Sequence, residues 1–496
     1  MKRSKKILFY SILFILPLAL WLGLESLANR ATQRFEPLKR DRNKGTFYLN
    51  QSYFNDFFLF EKKDLFPTSA SNRAIHAEKG GRFRIFVVGE STPAGYPYNT
   101  FPQFECPTSF PNYLRAVLQY NRSLPEIELL NASCNALNSL NVLDVFSSLI
   151  KHQPDLVIVY SGHNEFFGPN EFVIAKEKTA LYQNRTLYAL FMGLRRTFLY
   201  QGMLKAIRWI TPRSSIRTAN DLQWSQRNTV AFQDPLNQVV ADNYRRNLED
   251  LIRLARKHDI QVMLCTPVSN WTFPPFISKN QFVGDKRTIV NWDSLDAQAK
   301  TAFNSGDMVK ALEIWQRLYQ LDSTNASVSY HAGMAFVRQK DYESAGLSLL
   351  QAKDYDLLPF RARTYFPMIC RDLASRHSVM LADVESYFVQ HSQRTYPEPS
   401  LFIDHVHPND LGNYYIALLL AKTLIDNGVF PGVTAITYPA YEECQKALRI
   451  DPVNIRQVEV DFAEQSYIKM LSDLNPEIKG FLGRLRARAI NEAKKP

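Results

Sequence analysis

FRIFVVGESTPAGYPY, residues 83–98, opens on an apolar run that stops at Gly89-Glu90-Ser91. Bulky and β-branched residues bounded by a glycine have the character of a short buried strand. Such a strand leaves the hydroxyl of Ser91 on its lip. The same pattern recurs outward from this point. FPNYLRAVLQY (110–120) has helical spacing and ELL (128–130) reads as a short strand. Residues 139–152 set Leu140, Leu143, Val145, Phe146, Leu149 and Ile150 on one helical face, and DLVIVYSG (155–162) is a second buried strand ending in glycine. A helix over 243–258 and a strand over 260–267 continue the alternation, which resumes at 379–388 and 401–427. Strands alternating with helices predict an α/β fold, a three-layer sandwich around a mainly parallel sheet.

The alternation is interrupted. Residues 291–356 read as helices only, and Asp307 and Ala311 recur as Asp341 and Ala345 at an offset of 34, the tetratricopeptide period. Two units are few for a free-standing solenoid, so an inserted α-helical repeat segment leaning on the main domain is expected. AYEECQKALRIDPVN (440–454) echoes the same period faintly, in a tail expected to be mostly helical with a mobile basic end over its last 16 residues.

Charge sits at the two ends. Of the formal +11, residues 1–44 carry +7 and residues 477–496 carry +4, leaving the middle balanced. A nucleic-acid protein spreads positive charge over a folded face, so no nucleic-acid partner is expected. Ile7 to Leu27 is long and apolar enough to cross a bilayer as a helix, and MKRSKK precedes it. The expectation is an uncleaved N-terminal transmembrane helix in a bacterial inner membrane, single-pass, with the body on the periplasmic side. Cleavage after Ser26-Leu27-Ala28 and a buried N-terminal helix are the alternatives. The five cysteines are scattered, which neither requires nor forbids disulfides.

A serine hydroxyl becomes a nucleophile when a base takes its proton, and the base is an imidazole held by a third group. IDHVHPNDLG (403–412) places two imidazoles and two carboxylates between an apolar run and a helix. In a turn, the Asp404 carboxylate folds back onto the His407 ring, leaving its other nitrogen for Ser91. His405 points elsewhere, and the pair His405–Asp410 has the wrong order. A metal reading of Asp404, His405, His407 and Asp410 lacks a second cluster to complete it. VIVYSGHNEF (157–166) follows a buried strand, and the Asn164 amide there is a candidate oxyanion donor. LLNASCNALNS (129–139) offers the Ala136 N–H for the same oxygen. Glu90, Tyr96, His163, Glu165 and Asn270 are candidate substrate-binding residues. Tyr96 and Asn270 belong to the aromatic loops TPAGYPYNTFPQF (92–104) and TPVSNWTFPPF (266–276).

These four blocks, in this order, resemble the SGNH (GDSL-like) superfamily of serine esterases and lipases, and with the anchor and repeats they look like a bacterial membrane-associated subgroup. Glu90 stands where that family has Asp, and Ala136 where it has Gly. The resemblance implies a flavodoxin-like sheet, Ser91 as nucleophile, Asp404 and His407 as the rest of a triad, Ser91, Ala136 and Asn164 as oxyanion donors, and no cofactor or metal. The implied activity is hydrolysis of an O-acyl ester on an envelope glycan or lipid. Acyl transfer by the same site is one alternative; a non-catalytic scaffold binding an envelope protein through the helical repeats is another. The expected organisation begins with a cytoplasmic tip and anchor (1–27) and a stalk and lead-in (28–80). A hydrolase domain follows in two segments, 81–290 and 361–430, split by the helical insertion (291–360). A helical extension (431–496) closes the chain.

Overall fold

The computed structural model describes residues 20–29, 32–57, 74–101, 104, 106–168, 185–210, 229–280, 286–462 and 472–493. Eight strands occur among them. β1 (Leu38–Asp41), β2 (Thr46–Leu49) and β3 (Ala74–His76) form a small antiparallel sheet in the order β1-β2-β3. β4 (Phe83–Gly89), β5 (Ile127–Asn131), β6 (Leu156–Tyr160), β7 (Gln261–Cys265) and β8 (Met380–Ala382) form the main sheet. Its order is β5-β4-β6-β7-β8 and every pairing is parallel. Counted from its own first strand, that is 2-1-3-4-5, the flavodoxin-like arrangement.

Why the sheet takes both faces of helices follows from the handedness of parallel crossovers. The connection from β4 to β5 runs one way along the sheet, and later connections run the other way. Phe110–Tyr120 therefore lies on one face. Ser139–Leu149, Leu236–Lys257 and Tyr365–His377 pack together on the other. After β8, helix Asp410–Asp426 crosses back to pack on Phe110–Tyr120. Strands β5 and β6 are buried throughout, as two covered faces demand. The order in which strands are added reverses between β4 and β6, and the crevice at their carboxyl ends is where such sheets hold ligands.

Helices Lys286–Ser305, Met308–Leu321, Ala326–Gln339 and Tyr342–Asp354 stand between β7 and β8. Asp307 and Asp341 each cap the helix that follows, accepting from Lys310 N and Ser344 N. Ala311 and Ala345 are both buried, so the positions paired at the 34-residue offset are structurally equivalent. Trp292, Trp315 and Leu318 build a separate core for these helices.

Two expectations change and one open point is decided. The stretch read as a stalk before a packed lead-in is folded throughout where described: Phe35 and Leu38 are buried as well as Tyr53, Phe54 and Phe57 of the lead-in, and β3 reaches the main sheet where His76 N donates to Glu128 Oε1 (2.6 Å). Aromatic residues spaced irregularly gave no strand signal there. The tail expected to be mobile continues, as far as residue 493, in helix Pro476–Ala493, whose Ile478 and Leu482 are buried and whose Phe481 packs on Phe273. All five cysteines are free and buried, so the disulfides left open by the sequence do not form. The apolar segment 7–27 lies largely outside the described residues; among those described, no helix is long and apolar enough to cross a membrane.

Gly89 is the tightest point of the main sheet. A Cβ there would lie 2.4 Å from the Tyr160 carbonyl oxygen and 2.6 Å from the Pro93 ring. Gly89→Ala is expected to cost about 1–3 kcal/mol through this overlap, read as a lowered thermal midpoint; an unchanged midpoint would show that β4 and β6 yield there.

Candidate active site

Ser91 begins the short helix Ser91–Ala94, directly after β4. Its Oγ lies 2.7 Å from His407 Nε2. His407 Nδ1 lies 2.7 Å from Asp404 Oδ2, and Asp404 Oδ1 accepts the backbone N–H groups of Val406 (2.8 Å) and His407 (2.7 Å). The carboxylate thus folds back on its own loop while orienting the ring. That loop is closed by Ile403 N donating to His407 O (2.9 Å) and by a bridge between Phe402 and Pro408. Asp404 and His407 are buried and Ser91 is half-exposed, so the line of three runs outward from the core.

Burial alone would push the Asp404 carboxyl up. The neighbouring His407 and His405 imidazoles and the bonds from His407 outweigh it and hold the group well below the usual carboxylate range. Asp404 is therefore an anion, which keeps a proton on His407 Nδ1 and leaves Nε2 free to accept the serine proton.

The loop after β6 brings in the other residues. Asn164 Nδ2 donates to Glu90 Oε2 (2.9 Å), which uses one of its two hydrogens. His163 N donates to the same carboxyl. Ala136 has a φ of 63°, a left-handed conformation that favours glycine. Among the described residues, the N–H groups of Ser91 and Ala136 have no protein acceptor. Tyr96 is half-buried with its ring 4.6 Å from that of His407.

Four candidate substrate contacts lie buried in the structure. Glu90, Glu165 and Asn270 are fully buried, and their polar atoms are engaged inside the protein. Glu90 braces the 163–164 loop. Glu165 accepts Ser139 N (2.8 Å) and Oγ (2.7 Å). Asn270 N donates to His405 O (2.9 Å), and its Oδ1 accepts Thr272 N and Oγ1. His163 is buried too, and its Nδ1 accepts Ala362 N (3.1 Å). His405 sits among Phe273, Phe276 and Phe360, and burial lowers it to about 4. Asp410 is withdrawn from the loop by Tyr113, Tyr441 and Gln445.

Two features escaped the sequence. Arg361 donates from a buried position to Asn270 O and Phe273 O, fixing the second aromatic loop. Phe462 of the C-terminal extension packs on Tyr96 (5.6 Å), and Tyr98 Oη donates to Glu459 Oε1 (2.9 Å). No spacing rule links these partners; an arginine in an otherwise apolar stretch was the only signal for the first.

No protein-family model matches the chain, and no curated protein matches it either. Solved structures similar to it include an acetyl xylan esterase (13% identity, covering 69% of this chain and 100% of that one, TM-score 0.31). A GDSL-like lipase from Bacteroides thetaiotaomicron is 11% identical over 69% of this chain and 88% of its own, with a TM-score of 0.30. A catalytic mutant of an acetylxylan esterase from Geobacillus stearothermophilus is 11% identical over 70% and 96%, with a TM-score of 0.31. Likeness this slight carries no weight for activity; the side chains at Ser91 do.

Burial raises the Glu165 carboxyl to about 7, against the lowering effect of its bonds with Ser139. Between its ordinary value of 4.5 and about 7, the folded chain holds a proton that the unfolded chain has lost. This group's contribution to stability therefore falls as pH rises through that window and is level above it. Glu165→Gln removes the titration. The wild-type advantage over this variant in thermal or denaturant unfolding is expected to shrink by about 3 kcal/mol from pH 4 to pH 8; a difference independent of pH would put the carboxyl in its ordinary range.

Proposed function

We propose that this chain is a serine hydrolase that cleaves an O-acyl ester through an acyl-enzyme. The observation that carries the reading is the unbroken line from Ser91 Oγ to His407 Nε2 and from His407 Nδ1 to the Asp404 carboxylate. Ser91 Oγ attacks the ester carbonyl carbon while its proton passes to His407 Nε2. The carbonyl electron pair moves onto oxygen, where the N–H groups of Ser91 and Ala136 and the second Asn164 amide hydrogen are the candidate donors. Collapse expels the alcohol, which takes the proton from Nε2. Water then repeats the cycle on the acyl-Ser91 ester, releasing the acid and restoring the serine. Asp404 holds the ring in the required tautomer and offsets the imidazolium charge.

The substrate class in this reading is an acylated envelope glycan or lipid. The Tyr96 ring beside His407 supports it, since an aromatic face suits either a sugar ring or an acyl chain. Residues 7–27 anchor the chain in a bacterial inner membrane, with the body on the periplasmic side; the support is the apolar length and the basic tip before it. An envelope protein partner on the helical insertion would use a face other than the one at His331, which Glu477 of the chain's own last helix occupies (2.7 Å).

A fluorophosphonate is expected to label the wild-type chain and not Ser91→Ala; label persisting in that variant would remove Ser91 from the chemistry. With a short activated acyl ester, Asp404→Asn should lower kcat by about 10³–10⁴. His407→Ala should abolish turnover, and retention of most activity would reassign the base. Protease added to intact spheroplasts is expected to digest the body, and complete protection until lysis would place it in the cytoplasm.

A further inference from the structure

Helix Phe198–Ile210 carries large apolar residues on its open side. Its buried side holds Leu204 and the polar Gln201, whose amide donates to Arg195 O (2.8 Å). Its open side carries Leu199, Met203, Ile207 and Trp209, with Trp209 88% exposed; Gly202, Ala206 and Lys205 are exposed beside them. A surface helix of a water-soluble body shows the opposite pattern. Scattered exposed apolar residues need no explanation, but a contiguous group of large ones does. The preceding helix, Arg185–Arg195, adds exposed Leu190 and Leu194.

The place of this face in the molecule points to its occupant. Residues 20–29 are helical, and Leu20, Leu22, Leu24 and Leu27 are exposed there. Glu25, the lone acid of the N-terminal apolar segment, accepts the N–H groups of Phe198 (2.7 Å) and Leu199 (3.1 Å). Phe35 packs edge-on against Phe198 (5.0 Å). The end of the segment that runs back through residues 7–19 is thus bonded to the start of this helix. Where that segment enters a bilayer, the open face of Phe198–Ile210 stands at the lipid surface. A helix with leucine, methionine and tryptophan outward and a lysine at its flank suits that interface.

We propose that the open face of Phe198–Ile210, with Leu190 and Leu194, is a second membrane contact that seats the body on the bilayer beside the anchor; this rests on the membrane anchoring proposed above. The body is then held against the lipid instead of swinging on a tether.

The test uses the full chain in liposomes containing anionic lipid. Because the native cysteines are all buried, a single environment-sensitive fluorophore can be placed at Trp209→Cys, or at Leu347→Cys as a control exposed on the helical insertion. Emission from position 209 should shift to the blue and be lost when the lipids carry a nitroxide near the headgroup; emission from position 347 should do neither. A label at 209 as wet as the control overturns the proposal. So does a dry label that nitroxide lipids leave unquenched, since protein, from this chain or a second copy, then covers the face. An alkaline carbonate wash of the same vesicles separates the two readings. Chain removed by the wash defeats the anchor, whereas chain retained with a wet label at 209 defeats only the second contact.

Discussion

The hydrogen bond between Ser91 Oγ and His407 Nε2 joins residues 316 positions apart, and the site exists only while the loop 403–407 stays seated over the end of β4. The loop cannot seat itself. Helix Asp410–Asp426 holds it by packing on Phe110–Tyr120 across the face of the sheet. Asn413 Oδ1 accepts Phe110 N (2.9 Å), and the buried Asp410 carboxyl accepts from Tyr113 and Gln445. The residues that register this helix therefore set the serine–imidazole distance. Asp410, chemically able to serve at the site, is committed to positioning the helix that carries it.

Behind the site lies a layer of acids and imidazoles whose titration is governed by burial. Asp404 and Glu90 are both fully buried carboxyls, yet they move in opposite directions. Burial opposes the charged form of each. Asp404 overcomes it with two imidazoles and two backbone N–H groups. Glu90 does not, because the Glu165 carboxyl adds to the penalty and the donors from residues 163 and 164 are too few to reverse it. Burial also drives His163 and His405 down, which favours their neutral forms. One carboxylate of the cluster thereby stays charged to orient the His407 ring, while the neighbouring groups shape the pocket wall and brace its loops.

The high aromatic content finds a use in this arrangement. Tyr96 touches both His407 and Phe462, and Phe273 touches both His405 and Phe481. Rings of the two site loops thus form the seam against which the C-terminal extension closes. Composition alone admitted either buried interfaces or aromatic-lined grooves; the structure uses the rings mainly for the former, leaving part of Tyr96 open.

Reading the chain was most informative where one short stretch contains both cause and effect. A buried parallel strand is a run of apolar residues ending in glycine, so β4 and β6 were legible, and the 34-residue offset was legible as a pairing of helical positions. The turn of Asp404 onto His407 was legible for the same reason, since it closes within four residues. What the sequence could not carry was distance between remote parts. The antiparallel sheet at the front, the brace from Arg361 and the seam with Phe462 each join segments that share no local pattern. Burial decided the rest: Glu90, Glu165 and Asn270 have the chemistry of binding residues, and only packing shows that their polar atoms are spent inside the protein. Local order determined the elements and the Asp404–His407 turn, because side-chain spacing acts over a few residues; tertiary structure alone decided which hydroxyl that imidazole meets, because that contact depends on the packing of the whole sheet.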